Sequence, residues 1–162
     1  DDVHFAIVGP GDAREALQRH VDALRLGHAV ELTGGVSDER VRAYLSTADV
    51  CVGVDECNAM NDRAAMRKVL EYLALGKAVV QFPLIEMQRL CGDSTIYARN
   101  GDAADLADRI CALLDDDERR RRLGEAARRQ VTAGLMWPQQ VPALLAAVET
   151  AAARSAAWKE AT

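Results

Sequence analysis

The amino-acid sequence predicts an α/β fold with a mostly parallel β-sheet and extra C-terminal helices. Two observations carry this prediction. Short apolar runs alternate with amphipathic helical patterns along the chain, which is typical of βαβ units with right-handed crossovers. Of the 162 residues, 49% are hydrophobic but only 4% are aromatic. The core is therefore expected to consist of Ala, Val, Leu and Ile, which suits α/β packing better than an all-β sandwich.

The first part of the chain predicts three strands and two helices. The expected strands span 3–8, 29–33 and 49–54. The first two strands run into glycine-containing turns. Asp12 is a candidate cap for a helix that ends near Leu26, and Ser37 for a helix that reaches Ala48. The polar segment 55–63 is predicted to be a loop.

The second part of the chain continues the alternation and then becomes helical. The expected strands span 78–82 and 95–98, and the expected helices span 64–75, 84–91, 103–114, 118–131 and 137–153. Gly76 follows the first of these helices at the C′ position, where glycine is favoured. Pro138 suits the first turn of the last helix, and Trp137 at its start is expected to pack on the domain.

Charge and composition exclude some classes of function. The net charge is −5, whereas a nucleic-acid-binding domain is usually basic. The arginine run at 119–122 alternates with acidic residues, which is typical of a solvated amphipathic helix. No run approaches the roughly 18 apolar residues of a membrane span, and no signal peptide opens the chain.

The four cysteines are expected to be reduced and structural. They lie at positions 51, 57, 91 and 111. None forms a Cys-x-x-Cys pair, and no histidine stands at zinc-finger spacing, so no metal site is expected. Cys51 and Cys111 lie in apolar runs, where a thiol behaves as a small hydrophobic group. Reduced cysteines favour a cytosolic location.

Two glycine-containing loops follow predicted strands at the carboxyl edge of the sheet, where open parallel sheets bind ligands. In Gly9-Pro10-Gly11-Asp12, the glycines permit close approach of a ligand, and the next helix offers free N–H groups to a phosphate. Gly34-Gly35-Val36 could present backbone groups to a flat base. For the first segment an ordinary turn is the better interpretation, because Pro10 removes one donor and Asp12 would repel an anion. For the second segment the local sequence leaves a strand-ending turn and a base-binding loop equally open.

A third loop enters the helix predicted over 64–75. The apolar face of this helix comprises Met66, Val69, Leu70 and Leu73. Lys68 and Glu71 are three residues apart and share the opposite face. Glu71 could accept two hydrogen bonds from a vicinal diol such as a ribose, and Lys68 could meet a diphosphate. An ordinary helical ion pair would explain the same two residues, so both readings remain open.

Several segments, taken in order, are similar to the signature of the retaining family-4 (group 1) glycosyltransferases with the GT-B fold. The central pieces are Asn61-Asp62-Arg63 and the segment KVLEYLALGKAVV at 68–80. The other pieces are Val8-Gly9-Pro10-Gly11, the segment VELTGGV at 30–36, Ala48-Asp49-Val50, Leu113-Leu114-Asp115-Asp116 and Trp137. Together they cover about residues 3–150.

The resemblance implies a Rossmann-like three-layer sandwich that binds a nucleotide diphosphate-sugar. Residues 1–150 would form this domain, and 151–162 a helix end or tail. Glu71 would bind the donor ribose beside Lys68. The base would be framed by Gly34, Gly35 and Val36. The residues near the sugar and the diphosphate would be Gly9, Gly11, Asn61, Asp62, Arg63 and Arg67. In one departure from the family pattern, Arg63 stands eight positions before Glu71, where a glutamate is usual, and Asp62 is its acidic neighbour.

The resemblance also implies that the chain is the donor-binding half of a hexosyltransferase. An N-terminal domain of the same parent chain would hold the acceptor, which could lie at a membrane surface. The expected location is cytoplasmic or peripheral at the inner membrane face, and the expected role is polysaccharide biosynthesis. No cofactor and no metal are expected, and no catalytic residue is assigned. The chain alone is expected to bind the donor weakly and to transfer no sugar.

Two other functions stay open. One is a GT-B-type nucleotide-sugar epimerase or phosphorylase fragment, which would need acid and base residues of its own. The other is a non-catalytic, receiver-like regulatory module, which would need an acidic cluster at the strand ends. The third strand is followed by Asp55 and Glu56, but no acidic pair follows the first strand.

Overall fold

The computed structural model describes residues 3–160, and it describes 155–160 as backbone only. The chain divides into two compact units, Asp1–Ala48 and Asp49–Thr162. Each unit has its own parallel sheet. The α/β fold with parallel sheets that the sequence predicts is therefore confirmed.

The first unit is a β–α–β–α segment. Its elements are β1 (Phe5–Val8), α1 (Arg14–Ala23), β2 (Val30–Gly34) and α2 (Asp38–Thr47). β1 and β2 pair in parallel, with a shift of register between Ile7 and Val8. Ser37 caps α2 as predicted, because its side chain accepts a hydrogen bond from the backbone N–H of Arg40 at 3.4 Å.

The predicted bounds of α1 are wrong at both ends. Asp12 does not cap the helix, because the N-cap residue is Ala13 and no side chain caps it. The N–H of Arg14 donates instead to the carbonyl of Gly11 at 3.1 Å, within a turn. The helix ends before Leu26 because Arg25 adopts a left-handed conformation with φ 57°, which a right-handed helix cannot include.

The second unit holds a three-stranded sheet and five α-helices within its described residues. The strands are β3 (Val50–Gly53), β4 (Ala78–Gln81) and β5 (Ile96–Tyr97). The helices are α3 (Arg67–Ala74), α4 (Ile85–Cys91), α5 (Ala103–Leu114), α6 (Asp117–Gly134) and α7 (Trp137–Glu160). Single 3₁₀ turns lie at Asn61–Arg63 and Gly92–Ser94. β4 is the central strand, between β3 and β5.

The core of this unit forms on both faces of β4, whose four residues are all buried. On one face, Ala78, Val80 and Phe82 pack against Ile110 and Leu113 of α5. On the other face, a Cβ added at Gly53 would contact Gln81 and the α3 residue Val69 at 3.1–3.3 Å. Because successive strand residues face opposite ways, the sheet lies between α5 and α3. This arrangement is the predicted three-layer sandwich.

α3 begins three residues later than predicted. The 3₁₀ turn at Asn61–Arg63 ends in an extended Ala64, with φ −100° and ψ 129°. Met66 is also extended, and its backbone N–H donates to the sulfur of Met87 at 3.1 Å. The expected helical start at Ala64 is therefore wrong, because a contact with α4 fixes the segment before Arg67 in an extended form.

α3 ends before Gly76, which occupies the C′ position as the sequence predicts. Gly76 has φ 70°, and its N–H donates to the carbonyl of Leu73 at 2.9 Å. The N–H of Lys77 donates to the carbonyl of Tyr72 at 3.0 Å. α6 passes so close to this turn that a Cβ at Gly124 would lie 2.0 Å from the Gly76 oxygen. Only a glycine at position 124 lets the two backbones approach in this way.

The arginine run of α6 is largely solvated and paired along the helix. Arg121 pairs with Glu125 at 2.8 Å, and Arg122 pairs with Glu118 at 2.6 Å. Arg120 differs from them, because it is half-buried and donates to the last carbonyls of α5. A cation at these carbonyls satisfies the C-terminus of α5. The predicted amphipathic helix is confirmed.

α7 starts at Trp137 as predicted, but it does not bury that residue. The side chain of Trp137 is 65% exposed, so the prediction that it packs on the domain is wrong. Among the described side chains of α7, none is buried, and Leu144, Leu145 and Val148 are also exposed. The predicted helix end at 151–162 is helical to Glu160, and 161–162 lie outside the described residues.

All four cysteines are free thiols. Cys51 and Cys91 are buried and Cys57 is half-buried, as expected of structural cysteines. Cys111 is exposed instead of buried, because it follows Ile110, which faces the core, and so lies on the outer side of α5.

Candidate functional site

Lys68 and Glu71, two of the predicted site residues of the second unit, lie on the outer face of α3. The inner face of this short helix is fixed in the core, where Val69 is 1% exposed and Leu73 is fully buried. Lys68 and Glu71 point away from that face and are exposed. Because an eight-residue helix has little stability of its own, its tertiary packing is what fixes the position of these charges.

Lys68 contacts the carboxylate that follows β3. Its Nζ lies 2.7 Å from Oδ2 and 2.9 Å from Oδ1 of Asp55. The helical pair between Lys68 and Glu71, which the sequence offered as an alternative, does not form. The first turn of α3 therefore lies at the carboxyl end of β3, which is the edge where parallel sheets bind ligands.

Glu71 pairs with Arg67 across one helical turn. The Arg67 Nε lies 3.3 Å from Glu71 Oε1, and their side chains are 92% and 50% exposed. Because α3 begins at Arg67, Glu71 lies little more than one turn into the helix rather than the two turns that the predicted start implied. The carboxylate is thus half-exposed to solvent, with one of its oxygens beside a guanidinium.

Asn61 and Asp62 serve the local structure of the loop before α3. The side-chain amide of Asn61 donates to the carbonyl of Glu56 at 2.9 Å. The Asp62 carboxylate accepts a hydrogen bond from the N–H of Ile85, the first residue of α4, at 3.3 Å. One oxygen of Asp62 is thus used at a helix start, and the other has no hydrogen-bond partner among the described residues. Arg63, at the end of the 3₁₀ turn, is exposed.

In the first unit, the two glycine loops join each other through the backbone. The N–H of Gly9 donates to the carbonyl of Gly34 at 3.1 Å. Gly9 has φ 144° and Gly34 has φ 65°, conformations that favour glycine. A Cβ at Gly9 or Gly11 would meet no atom within 4 Å. The space beside both residues is therefore open to a ligand.

Arg14 is a residue near these loops that the sequence analysis missed. Its guanidinium donates to the carbonyl of Leu32 at 3.4 Å, and a Cβ at Gly34 would lie 3.4 Å from its Nε. The guanidinium therefore lies against the predicted base-framing loop. The sequence indicates only weakly that Arg14 lies beside this loop, because only the observed start of α1 shows that this arginine is the first residue of the helix.

Burial raises two pKa values on the sheet side of α3. Burial raises the pKa of Tyr72 to about 12, and nearby Cys51, Glu71 and Asp55 act in the same direction once they are ionised. Burial also raises the pKa of Cys51 to about 11, while Lys77 acts in the opposite direction. Both groups are therefore neutral at pH 7, and Cys51 is not a thiolate nucleophile.

Other kinds of site find no support in the described part of the chain. Among residues 3–154, whose side chains the structure describes, no group of three His, Cys, Asp or Glu could hold a metal ion. No helix of the described residues 3–160 is both long and apolar enough to cross a membrane.

A shallow hollow of about 240 Å³ does occur in the second unit. It is lined by Ile96, Asp105, Asp108, Arg109, Ala112, Leu113 and Arg119, none of which was predicted as a site residue.

The sequence matches the family described as "Glycosyl transferases group 1" over residues 1–116. This range includes all the predicted site residues of both units. The match removes the receiver-like alternative. A comparison with curated proteins found no match.

Solved structures share the fold at low sequence identity. Sucrose-phosphate synthase from Thermosynechococcus elongatus matches with a TM-score of 0.76 and 23% identity, over 90% of this chain and 38% of that one. A glycosyltransferase from Rickettsia africae matches with a TM-score of 0.75 and 17% identity, over 89% and 38% of the two chains.

The Anabaena protein HepE, solved in complex with UDP, has a TM-score of 0.72 and 18% identity. The match covers 90% of this chain and 41% of HepE. The chain thus spans about two fifths of the length of these three proteins. At such identities the likeness shows the fold.

Proposed function

Since the chain belongs to the group 1 glycosyl transferases, we propose that it is the donor-binding part of a retaining hexosyltransferase and binds a nucleotide diphosphate-sugar. The observation that carries the proposal is the outer face of α3. Lys68 and Glu71 stand there on a helix whose inner face is fixed by Val69 and Leu73. The complex of HepE with UDP supports a nucleoside diphosphate as the ligand class.

Glu71 is proposed to bind the donor ribose. A carboxylate accepts hydrogen bonds at both oxygens, and two vicinal hydroxyls match that spacing. Glu71 already has Arg67 at 3.3 Å, so the guanidinium of Arg67 can remain beside the ribose and near the diphosphate. Lys68 is proposed to donate to the diphosphate as a compact point charge.

The remaining assignments follow the family pattern. In the first unit, Gly34, Gly35 and Val36 are proposed to frame the base. The open space beside Gly9 and Gly11 supports their proposed role in the approach of a phosphate. In the second unit, Asn61, Asp62 and Arg63 are proposed to lie near the sugar. Of these three, exposed Arg63 is the side chain most accessible to a ligand.

A separate acceptor-binding domain completes the proposal. Because the chain spans about two fifths of the structures it matches, we place the acceptor on an N-terminal domain of a longer protein. Free cysteines agree with a cytoplasmic protein or one at the inner membrane face. The chain alone should then bind a donor and transfer no sugar, since positioning both reactants supplies about 7–11 kcal/mol of catalysis. Steady transfer by the purified chain would contradict this division.

The first experiment is a thermal-shift panel of nucleoside diphosphates and their sugars. A ligand that binds only the folded state raises the melting temperature, so one base should stand out. The Glu71→Gln variant is then titrated with that nucleoside diphosphate. Hydrogen bonds to a charged group contribute about 1.5–3 kcal/mol, so affinity should fall about tenfold or more. Equal affinities of the variant and the wild type would remove Glu71 from the proposed site.

A further inference from the structure

We propose that Asp55 is a charge-balancing residue for Lys68, which keeps the affinity for the departing nucleoside diphosphate low. This inference rests on the function proposed above and adds a residue to it. Asp55 is not among the residues that the family resemblance implies. It enters because both of its carboxylate oxygens lie within hydrogen-bonding distance of the Lys68 ammonium, at 2.7 and 2.9 Å.

Both partners of the pair are carried by fixed parts of the second unit. Asp55 follows the end of β3, which pairs with the buried strand β4. Lys68 lies in the first turn of α3, next to the core residue Val69. The side chain of Asp55 is 25% exposed and that of Lys68 is 45% exposed. The ammonium is therefore held beside the sheet and is still accessible from solvent.

The geometry leaves Lys68 able to bind an anion, but with reduced attraction. An ammonium has three donors. A carboxylate in contact through two oxygens occupies at most two of them, so one remains for a phosphate oxygen. The negative charge of Asp55 cancels most of the long-range field of the ammonium. An approaching diphosphate thus meets a neutral pair, which attracts it less than a lone cation would.

The Asp55→Asn substitution separates the effect of the negative charge at position 55 from its effect on the orientation of Lys68. The Asp55→Asn side chain keeps an oxygen that can accept from Lys68, but it removes the negative charge. Titrations by calorimetry or NMR should use UDP, GDP and ADP beside uridine, guanosine and adenosine. The nucleoside diphosphate that binds wild type should bind the variant about threefold to tenfold more tightly, as expected for one screened charge a few ångströms away. Its nucleoside should bind equally to both proteins.

Two further variants make the result specific. Asp55→Ala removes the charge and also the acceptor, so Lys68 loses its fixed orientation. The Asp55→Ala variant should gain less affinity for the nucleoside diphosphate than Asp55→Asn, because binding must then order a flexible lysine. Glu118→Gln changes the net charge equally, in an exposed pair with Arg122 on α6, and should leave nucleoside diphosphate affinity unchanged.

The outcomes separate this inference from the function beneath it. Unchanged or weaker nucleoside diphosphate binding by Asp55→Asn would overturn the inference. Equal changes for the nucleoside, or equal tightening by Glu118→Gln, would overturn it too. Any of these outcomes removes only the role of Asp55 if wild type binds a nucleoside diphosphate and Glu71→Gln weakens that binding. If wild type binds none of the three nucleoside diphosphates, both proposals fail.

Discussion

α3 and α7 belong to the same unit, but they differ in how many of their side chains are buried against it. α3 has eight residues, and two of its side chains, Val69 and Leu73, are almost or fully buried. α7 has 24 residues, but none of its described side chains is buried. The short helix is fixed by the core on one face and by the glycine contact at its C-terminal end. The long helix has no comparable contact among its described residues.

Packing, rather than length, therefore determines which helix can hold ligand-binding side chains at fixed positions. Because the inner face of α3 is fixed in the core, Lys68 and Glu71 on its outer face are held at constant positions. These two side chains do not need to stabilise the fold themselves. The apolar side chains on the surface of α7, such as Trp137 and Leu145, are exposed. They should contribute little to the stability of this chain, because only burial yields hydrophobic stabilisation.

Two Leu→Ala substitutions, one on each helix, should differ most in their cost to stability. Leu73→Ala removes a fully buried side chain from α3 and should cost about 2–5 kcal/mol of unfolding free energy, since a cavity remains. Leu145→Ala makes the same change on α7, where the leucine is 54% exposed, and should cost less than about 0.5 kcal/mol. Urea denaturation followed by circular dichroism measures both. Similar losses would show that α7 packs as α3 does.

A smaller effect is expected where α6 contacts the end of α3. Gly124→Ala would place a Cβ 2.0 Å from the Gly76 oxygen, and neither backbone can yield easily. Overpacking of this kind costs about 1–3 kcal/mol. Gly134→Ala, at the end of the same helix, meets no atom within 4 Å and should be neutral or stabilising. A stable Gly124→Ala variant would mean that the contact does not hold α3.

The sequence alone predicted the order of the elements well, because that order follows from local patterns. Five apolar runs became the five described strands, and Gly76 ended α3 as its position after an amphipathic run indicated. The start of α3 was not predictable in this way. Ala64 and Ala65 favour a helix, but the bond from the Met66 N–H to the sulfur of Met87 joins residues 21 apart.

The sequence predicted the helix face that carries Lys68 and Glu71, but not the partners of these two residues. Spacing correctly placed Lys68 and Glu71 on the outer face of α3. Asp55 was missed because it lies 13 residues before Lys68 and only the fold brings the two together. Arg67, in contrast, stands four residues before Glu71, at a spacing typical of a helical pair. The prediction that Trp137 packs on the domain was wrong for a different reason. Aromatic residues are commonly buried, and no local pattern shows whether a surface exists to cover a given helix face.

The smallest expected effect concerns stability at Glu71 itself. Glu71 and Arg67 form an exposed pair four residues apart, and such pairs contribute about 0.3–0.5 kcal/mol. Glu71→Gln and Arg67→Gln should each lower the unfolding free energy by no more than that. The double variant should lose little more than either single variant, because the two share one interaction.

This last prediction decides whether the outer face of α3 is free for binding. If Glu71→Gln lowers nucleotide affinity about tenfold while stability changes by less than about 0.5 kcal/mol, the carboxylate acts on the ligand and not on the fold. If it costs more than about 1 kcal/mol of stability, Glu71 supports the helix beyond the Arg67 pair. The contrast between a buried stabilising face and an exposed binding face would then not hold for α3.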